Sequence, residues 1–189
     1  MPPFRLTNDH FNPVTNTGIV DTPLAYIGGD PNAAGTKHVE GVAFSNNVAG
    51  AVTTTAYGID LRDFIASGVL NTINPEAAGT LNTVGNLGVT ADDVGGFDIS
   101  GATGVAYVVL NDFTNGQYIP TLYSINLATG AATAIGPVGI DTSVYRVTGI
   151  SVLPDNAPGG SGNVPIPLAV VAGPALAGLA MVARKRAKR

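Results

Sequence analysis

A chain of 189 residues with thirteen acids, nine Lys or Arg and no cysteine has room for one ordinary domain and a tail. The lack of cysteine excludes disulfides, thiolate metal sites and thiol nucleophiles. All thirteen acids precede Val164, against only Arg5, Lys37, Arg62 and Arg146, a net −9 that disfavours nucleic acid, which needs a basic face.

Twenty-five Gly and thirteen Pro, with frequent Thr and Asn, favour short strands and tight turns over helices. In chain order, strands are expected around Phe4 to Leu6 and Gly18 to Tyr26, with turns at Asn12-Pro13 and Asp30-Pro31. Val39 to Phe44 alternates, and Val52 to Asp60 is rich in β-branched and aromatic residues. Ile65 to Ile73 is ambiguous. Leu81 to Val84, Gly96 to Ile99, Gly104 to Leu110, Ile119 to Asn126, Ala132 to Ile135 and Val147 to Leu153 complete the strands. Asn111 to Gly116 reads as a hairpin loop, with Asn115-Gly116 suited to positive φ.

The chain repeats. Gly79, Gly85 and Gly88 match Gly130, Gly136 and Gly139, an offset of 51. Val84, Leu87 and Val89 match Ile135, Val138 and Ile140 in the same register. Gly96-Phe97-Asp98-Ile99 meets Val147-Thr148-Gly149-Ile150 at that offset, and Tyr57 to Asp60 resembles Tyr123 to Asn126 at 66. Units of about 50 residues with four short strands are the mark of propeller blades. Val39 to Val89 would be one blade, Gly95 to Ile140 a second, and Val147 to Leu153 the start of a third. Residues 1 to 30 would end an earlier blade, Thr17 to Val20 standing where Thr129 to Ala132 stands later. The expected class is all-β: four-stranded Gly-rich repeats forming a partial, propeller-like array of about 2.5 blades. So few blades do not close a ring.

Candidate chemistry is sparse. His10 and His38 sit in polar, loop-like contexts with no metal partner at a suitable spacing. There is no G-x-S-x-G elbow, and Gly101-Ala102-Thr103-Gly104 lacks the Lys of a phosphate loop. Asp92, Asp93 and Asp98 are the densest acids; they lack the spacing of a Ca²⁺ loop and read as solvated. Asp60 and Asn126 are expected to cap turns, and Tyr57, Tyr107 and Tyr123 to pack between blades. Neither a catalytic residue nor a cofactor is expected.

Asn156 to Asn163 reads as a flexible linker between a domain over 1–155 and a tail over 164–189. Val164 to Ala183 carries no charge for twenty residues, enough for a helix across a bilayer's roughly 30 Å core. A transmembrane helix is expected over 166–183. Arg184, Lys185, Arg186, Lys188 and Arg189 follow in the basic end 184–189 and belong on the cytoplasmic side, which puts the domain outside. Met1 to Asn8 has no apolar core of a secretory signal, which such a chain requires. With the incomplete ring, this makes the chain read as the C-terminal piece of a longer protein.

In Leu24-Ala25-Tyr26 through Gly29-Asp30-Pro31-Asn32-Ala33, Thr53 to Asp60, Gly79 to Val89, Gly96 to Ile99 and Leu122 to Thr133, the chain resembles the later, C-terminal part of the DUF4394 family's domain. That resemblance implies an exported bacterial domain with propeller-like repeats and brings no catalytic residues. Val164-Pro165-Ile166-Pro167, the apolar run and the basic end resemble a PEP-CTERM sorting signal, with Ile166 where that motif has Glu. The resemblance implies the membrane and an exosortase-type processing enzyme as partners. The expected function is a non-enzymatic surface module contacting matrix polysaccharide or other surface proteins. The alternatives are a propeller binding a small ligand or Ca²⁺ and, third, an enzyme on that scaffold. Convergence of His38, Asp60, Arg62 and Asp98 in one cleft would favour the alternatives.

Overall fold

The computed structural model describes residues 8–12, 14–62, 67–139, 146–152 and 168–172. The chain is all-β: there is no helix among the described residues, and the sheets do not close into a barrel. Among the described residues thirteen strands form four sheets. β1 (Asn8–Asn12) and β2 (Thr17–Asp21) make a hairpin. β4 (Val39–Ser45), β5 (Thr55–Asp60), β6 (Val69–Ile73) and β7 (Thr80–Asn86) form an antiparallel meander, sheet I. The short β3 (Ala25–Tyr26) joins its outer edge, parallel to β7. β8 (Asp93–Ile99), β9 (Ala106–Thr114), β10 (Gln117–Ile125) and β11 (Ala132–Pro137) form a second antiparallel meander, sheet II. β12 (Val147–Val152) pairs with β13 (Leu168–Ala172).

The expected strand from Gly18 to Tyr26 is split into β2 and β3. Pro23 lies between them and has no N–H for a ladder. Between β9 and β10 the loop is only Asn115-Gly116, with φ of 54° and 81°. Two positive φ values match the strand twist in a two-residue hairpin, and Asn-Gly tolerates them best. The segment expected as loop from Asn111 is therefore strand as far as Thr114.

The two meanders share irregularities, which is stronger support for a repeat than composition. Each inner strand carries one extra residue near its start: Glu40 in β4, Gly95 in β8 and Thr148 in β12. A Gly follows each: Gly41, Gly96 and Gly149. Each outer strand also bulges, at Val84 in β7 and Ile135 in β11, and these two residues are matched at the offset of 51. The inner strands correct that offset. Their bulges align Gly96 with Gly149, not with Val147. A slip of two residues leaves every side chain on the same face, so alternation could not reveal it. The likeness of Tyr57–Asp60 to Tyr123–Asn126 also proves not to be repeat equivalence: the first lies in the second strand of sheet I, the other in the third strand of sheet II.

The main core lies between the sheets. Ala43, Ile59, Leu61 and Leu70 from sheet I and its margin meet Val94, Phe97, Ile99, Val108 and Leu110 from sheet II. Tyr57 and Tyr123 pack against its border. A smaller cluster, Tyr26, Ala56, Ile73 and Leu81, fills the other face of sheet I where residues 24–26 cross it. The approach is close. A Cβ on Gly41 would sit 2.9 Å from Val94, and one on Gly96 would sit 2.5 Å from the Ile150 nitrogen.

Of the expected transmembrane span, only Leu168–Ala172 lies among the described residues, where the chain forms β13; the rest of the span lies outside them. β12 otherwise offers a row of unpaired backbone groups, and an apolar segment with two valines fits such an edge. Among the described residues no helix is long and apolar enough to cross a membrane. Val164, Pro165, Ile166, Pro167 and the basic residues 184–189 lie outside the described residues, as does the linker.

Candidate functional site: a polar junction at one end of the sheets

The starts of β4, β8 and β12 and the ends of β5 and β9 lie at one end of the array. A continuous polar chain runs across them. Asp60, at the end of β5, is fully buried. Its Oδ2 accepts from the Tyr26 hydroxyl at 2.6 Å, and its Oδ1 accepts from the backbone N–H groups of His38 at 2.7 Å and Arg62 at 2.9 Å. The Arg62 bond is the expected Asx-type cap; Asn126 makes the same one to Ala128 at 2.9 Å. That shared cap accounts for the misleading likeness of the two strand ends. Burial, then the Asp60 carboxylate, pushes the Tyr26 hydroxyl well above the usual phenol range. Asn71, also fully buried, donates to the Tyr26 oxygen, and its Oδ1 lies 3.4 Å from the Thr83 hydroxyl.

Next to Tyr26, Asp30 ties residues 30–32 to β7. It accepts from the Thr83 backbone and hydroxyl and from the Asn32 backbone. Burial works to raise its pKa, but these three donors outweigh it and hold the carboxyl below its ordinary value. Arg62, with φ of 50°, donates through Nη1 to Asn32 Oδ1 at 2.6 Å.

His38 links this network to the inter-sheet contact. Its Nδ1 lies 3.1 Å from Glu40 Oε1. Glu40 Oε2 accepts from the Val94 backbone at 2.9 Å, bridging sheet I to sheet II. Burial, assisted by nearby Asp93, raises the Glu40 pKa; the Val94 N–H and His38 oppose the rise. Asp93 turns to β12, accepting from Arg146 Nε at 2.9 Å and Nη2, and from Asn111 Nδ2 at 3.0 Å. That pairing holds the Arg146 guanidinium above its ordinary pKa. The same guanidinium lies 5.2 Å over the Tyr118 ring. Asn111 is fully buried and acts like a strand neighbour to Val147, donating to its carbonyl at 2.9 Å and accepting from its N–H at 3.2 Å.

The structure therefore changes the reading of the acids. Asp93 and Asp98 lie in β8, not in a solvated loop, and each ties β12. Asp98, at the far end of β8, accepts from the Val152 N–H at 2.6 Å. Asp92 accepts from the Phe113 N–H at 2.6 Å. Of the four residues expected to reveal a cleft, His38, Asp60 and Arg62 converge and Asp98 does not. His10 lies in β1, its Nδ1 2.6 Å from Asp21, whereas His38 lies in the loop just before β4. Sequence reasoning missed Glu40, Asn111 and Arg146 altogether. Their partners in another sheet are 36 to 54 residues away, beyond any local spacing rule. The bulge supplied the only local signal, since Glu40 is the extra residue in β4.

Chemically, the junction is a set of ties, with carboxylates and amides spent on backbone groups. His38 and Arg146 keep 38% and 46% of their side chains exposed, so the cluster reaches solvent at its rim. Among the described residues no group of three or more His, Asp or Glu could hold a metal ion. No curated protein matches the chain. Residues 5–150 match the family described as Domain of unknown function (DUF4394). That match spans well over half of the chain, and the chain belongs to the DUF4394 family.

Proposed function

We propose that this protein is a non-enzymatic, propeller-like β-repeat module held at the outer side of a bacterial membrane, where it contacts surface polysaccharide or other surface proteins. The observation that carries this reading is how the polar side chains are used. Glu40, Asp93, Asp98 and Asn111 all bind the next sheet, and Asp60 closes a turn. Such groups stiffen an array; a catalytic acid or base needs a free edge toward substrate. The blade reading is supported by inner strands set side by side with equivalent bulges.

The membrane reading rests on the twenty uncharged residues from Val164 and the five cations after them. A single strand cannot satisfy its backbone in lipid, whereas a helix can. Pairing of Leu168–Ala172 with β12 is accordingly the form for water, and insertion exchanges it for helix. Ile166 in place of Glu predicts retention of the anchor over cleavage by an exosortase-type enzyme. A tag placed within 156–163 tests both points in the native host. Full-length tagged protein in the membrane fraction is the expected result; recovery in the cytosol would refute the reading.

A second reading, a small-ligand site, is favoured by one observation: His38, Glu40, Asp93 and Arg146 face one another at a solvent-reaching rim. A polar or anionic ligand there would have Arg146 as its donor, and Arg146→Ala would abolish its binding in calorimetry.

A further inference from the structure

Sheet II carries one feature that its counterpart does not. Val39↔Asp60 in sheet I and Asp93↔Asn111 in sheet II are the pairs just before each inner-strand bulge, so Asp60 and Asn111 hold equivalent places. In sheet I the β5–β6 ladder ends at Asp60↔Val69, where Asp60 caps the turn. In sheet II the β9–β10 ladder continues through Asp112↔Ile119, Phe113↔Tyr118 and Thr114↔Gln117. Pairing of β8 to β9 stops at Asn111, and pairing of β11 to β10 starts at Thr121. Residues 112–119 therefore stand beyond the sheet as a two-stranded ribbon.

Two strands alone are marginally stable in water, and this ribbon is held at its root. Asp92 Oδ2 accepts from the Phe113 N–H at 2.6 Å, and the Arg146 guanidinium, itself bonded to Asp93, lies 5.2 Å over the Tyr118 ring. Phe113 and Tyr118 oppose each other on one face, ring centroids 4.9 Å apart and planes at 54°. Neither belongs to either core cluster. Arg146 covers Tyr118, whereas Phe113 is 51% exposed. An aromatic pair set out from the sheet, held in place and unused by the core, is a binding surface in form.

The surroundings of the rings select the ligand. A sugar ring has an apolar C–H face and a rim of hydroxyls, which suits an aromatic face flanked by carboxylates. The residues before Val164 carry thirteen acids against four cations, and Asp92 and Asp112 lie beside Phe113 in the ladder. Uronate or sulfate groups are repelled there and ammonium groups attracted. The open face of Phe113 also takes a cation, as Tyr118 already does from Arg146. Building on the surface-module reading above, we propose that the Phe113–Tyr118 ribbon is a glycan-binding site whose ligand is a polysaccharide with free amino groups. A hexosamine ring stacks on Phe113 with its ammonium toward Asp92.

The chain has no Trp, so Phe113→Trp places a single fluorescent reporter at the site. Titration of this full chain, in mild detergent, with glucosamine oligomers should shift its emission to saturation. In calorimetry on the unmodified chain the same oligomers should bind, N-acetylated oligomers at least tenfold more weakly and oligogalacturonate not at all. Phe113→Ala should weaken glucosamine-oligomer binding at least tenfold and leave the melting temperature in place, since the ring is outside both core clusters. If that variant melts early, the Phe113→Trp titration decides alone, and an unmoved emission overturns the proposal. Oligomer binding that survives Phe113→Ala in a folded chain overturns the site and leaves the surface reading standing, with its polysaccharide contact elsewhere. Polylysine bound as tightly as the oligomers overturns sugar recognition in favour of charge attraction. N-acetylated oligomers bound equally well overturn the amine requirement. Binding of no glycan overturns the proposal and leaves the rings to a protein partner, while fractionation of the tagged chain decides the membrane reading independently.

Discussion

Asp60 has two oxygens and three donors, with the Tyr26 hydroxyl buried beside it and His38 and Arg62 half-buried. Asp60→Ala leaves Tyr26, His38 and Arg62 each short of an acceptor, so a loss of about 3 kcal/mol or more is expected by denaturant titration. Asp60→Asn keeps the size but offers one acceptor oxygen, and should fall between. Glu40 gives a pH signature. Its folded pKa lies above the ordinary 4.5, so its proton is held more tightly in the folded chain. Its contribution is complete below pH 4.5 and is lost as pH rises through the folded value. Glu40→Gln, facing His38, Asp93 and Arg146, should flatten that decline in melting temperature without changing the acid side. Asp30 has the opposite sign: its contribution is present above pH 3.8 and is lost as pH falls through the lowered folded value. The capping role of Asp60 was legible in the sequence because an Asx cap is local. The Glu40 and Asn111 ties were not, because nothing within ten residues of either announces a partner in another sheet.

At the scale of elements, the Asn115-Gly116 turn was the most legible feature, since only a few residue pairs adopt two positive φ values. Gly116→Ala places a Cβ at φ of 81° and should cost about 1 kcal/mol in thermal unfolding. Most strands were visible from alternation and β-branched content. Their partners were not. The second and third strands of a meander carry similar patterns, so Tyr57–Asp60 and Tyr123–Asn126 could be confused until hydrogen bonds separated them. β12 is the element most dependent on side-chain ties, with Arg146, Asp93, Asn111 and Asp98 all holding it to β8 and β9. Asn111→Leu should therefore raise amide hydrogen exchange across Val147–Val152 by roughly tenfold or more, while exchange in β5 stays unchanged.

For the whole molecule, the contrast between Phe97 and Val42 separates a buried position of the repeat from its exposed counterpart. Phe97→Ala opens the main core and should destabilise by about 3–5 kcal/mol, read by chemical unfolding. Val42 holds the same place after the bulge of β4 yet is 49% exposed, so Val42→Ala should cost far less. Among the described residues the small face of β4, Gly41 and Ala43, meets the large face of β8, and Gly96 of β8 meets the backbone of β12. A gene built this way tolerates unequal recombination. Excising or duplicating one in-frame unit of some fifty codons joins a small face to a large face again, and the new junction is already compatible. A change in the number of units therefore leaves each remaining boundary as well packed as before.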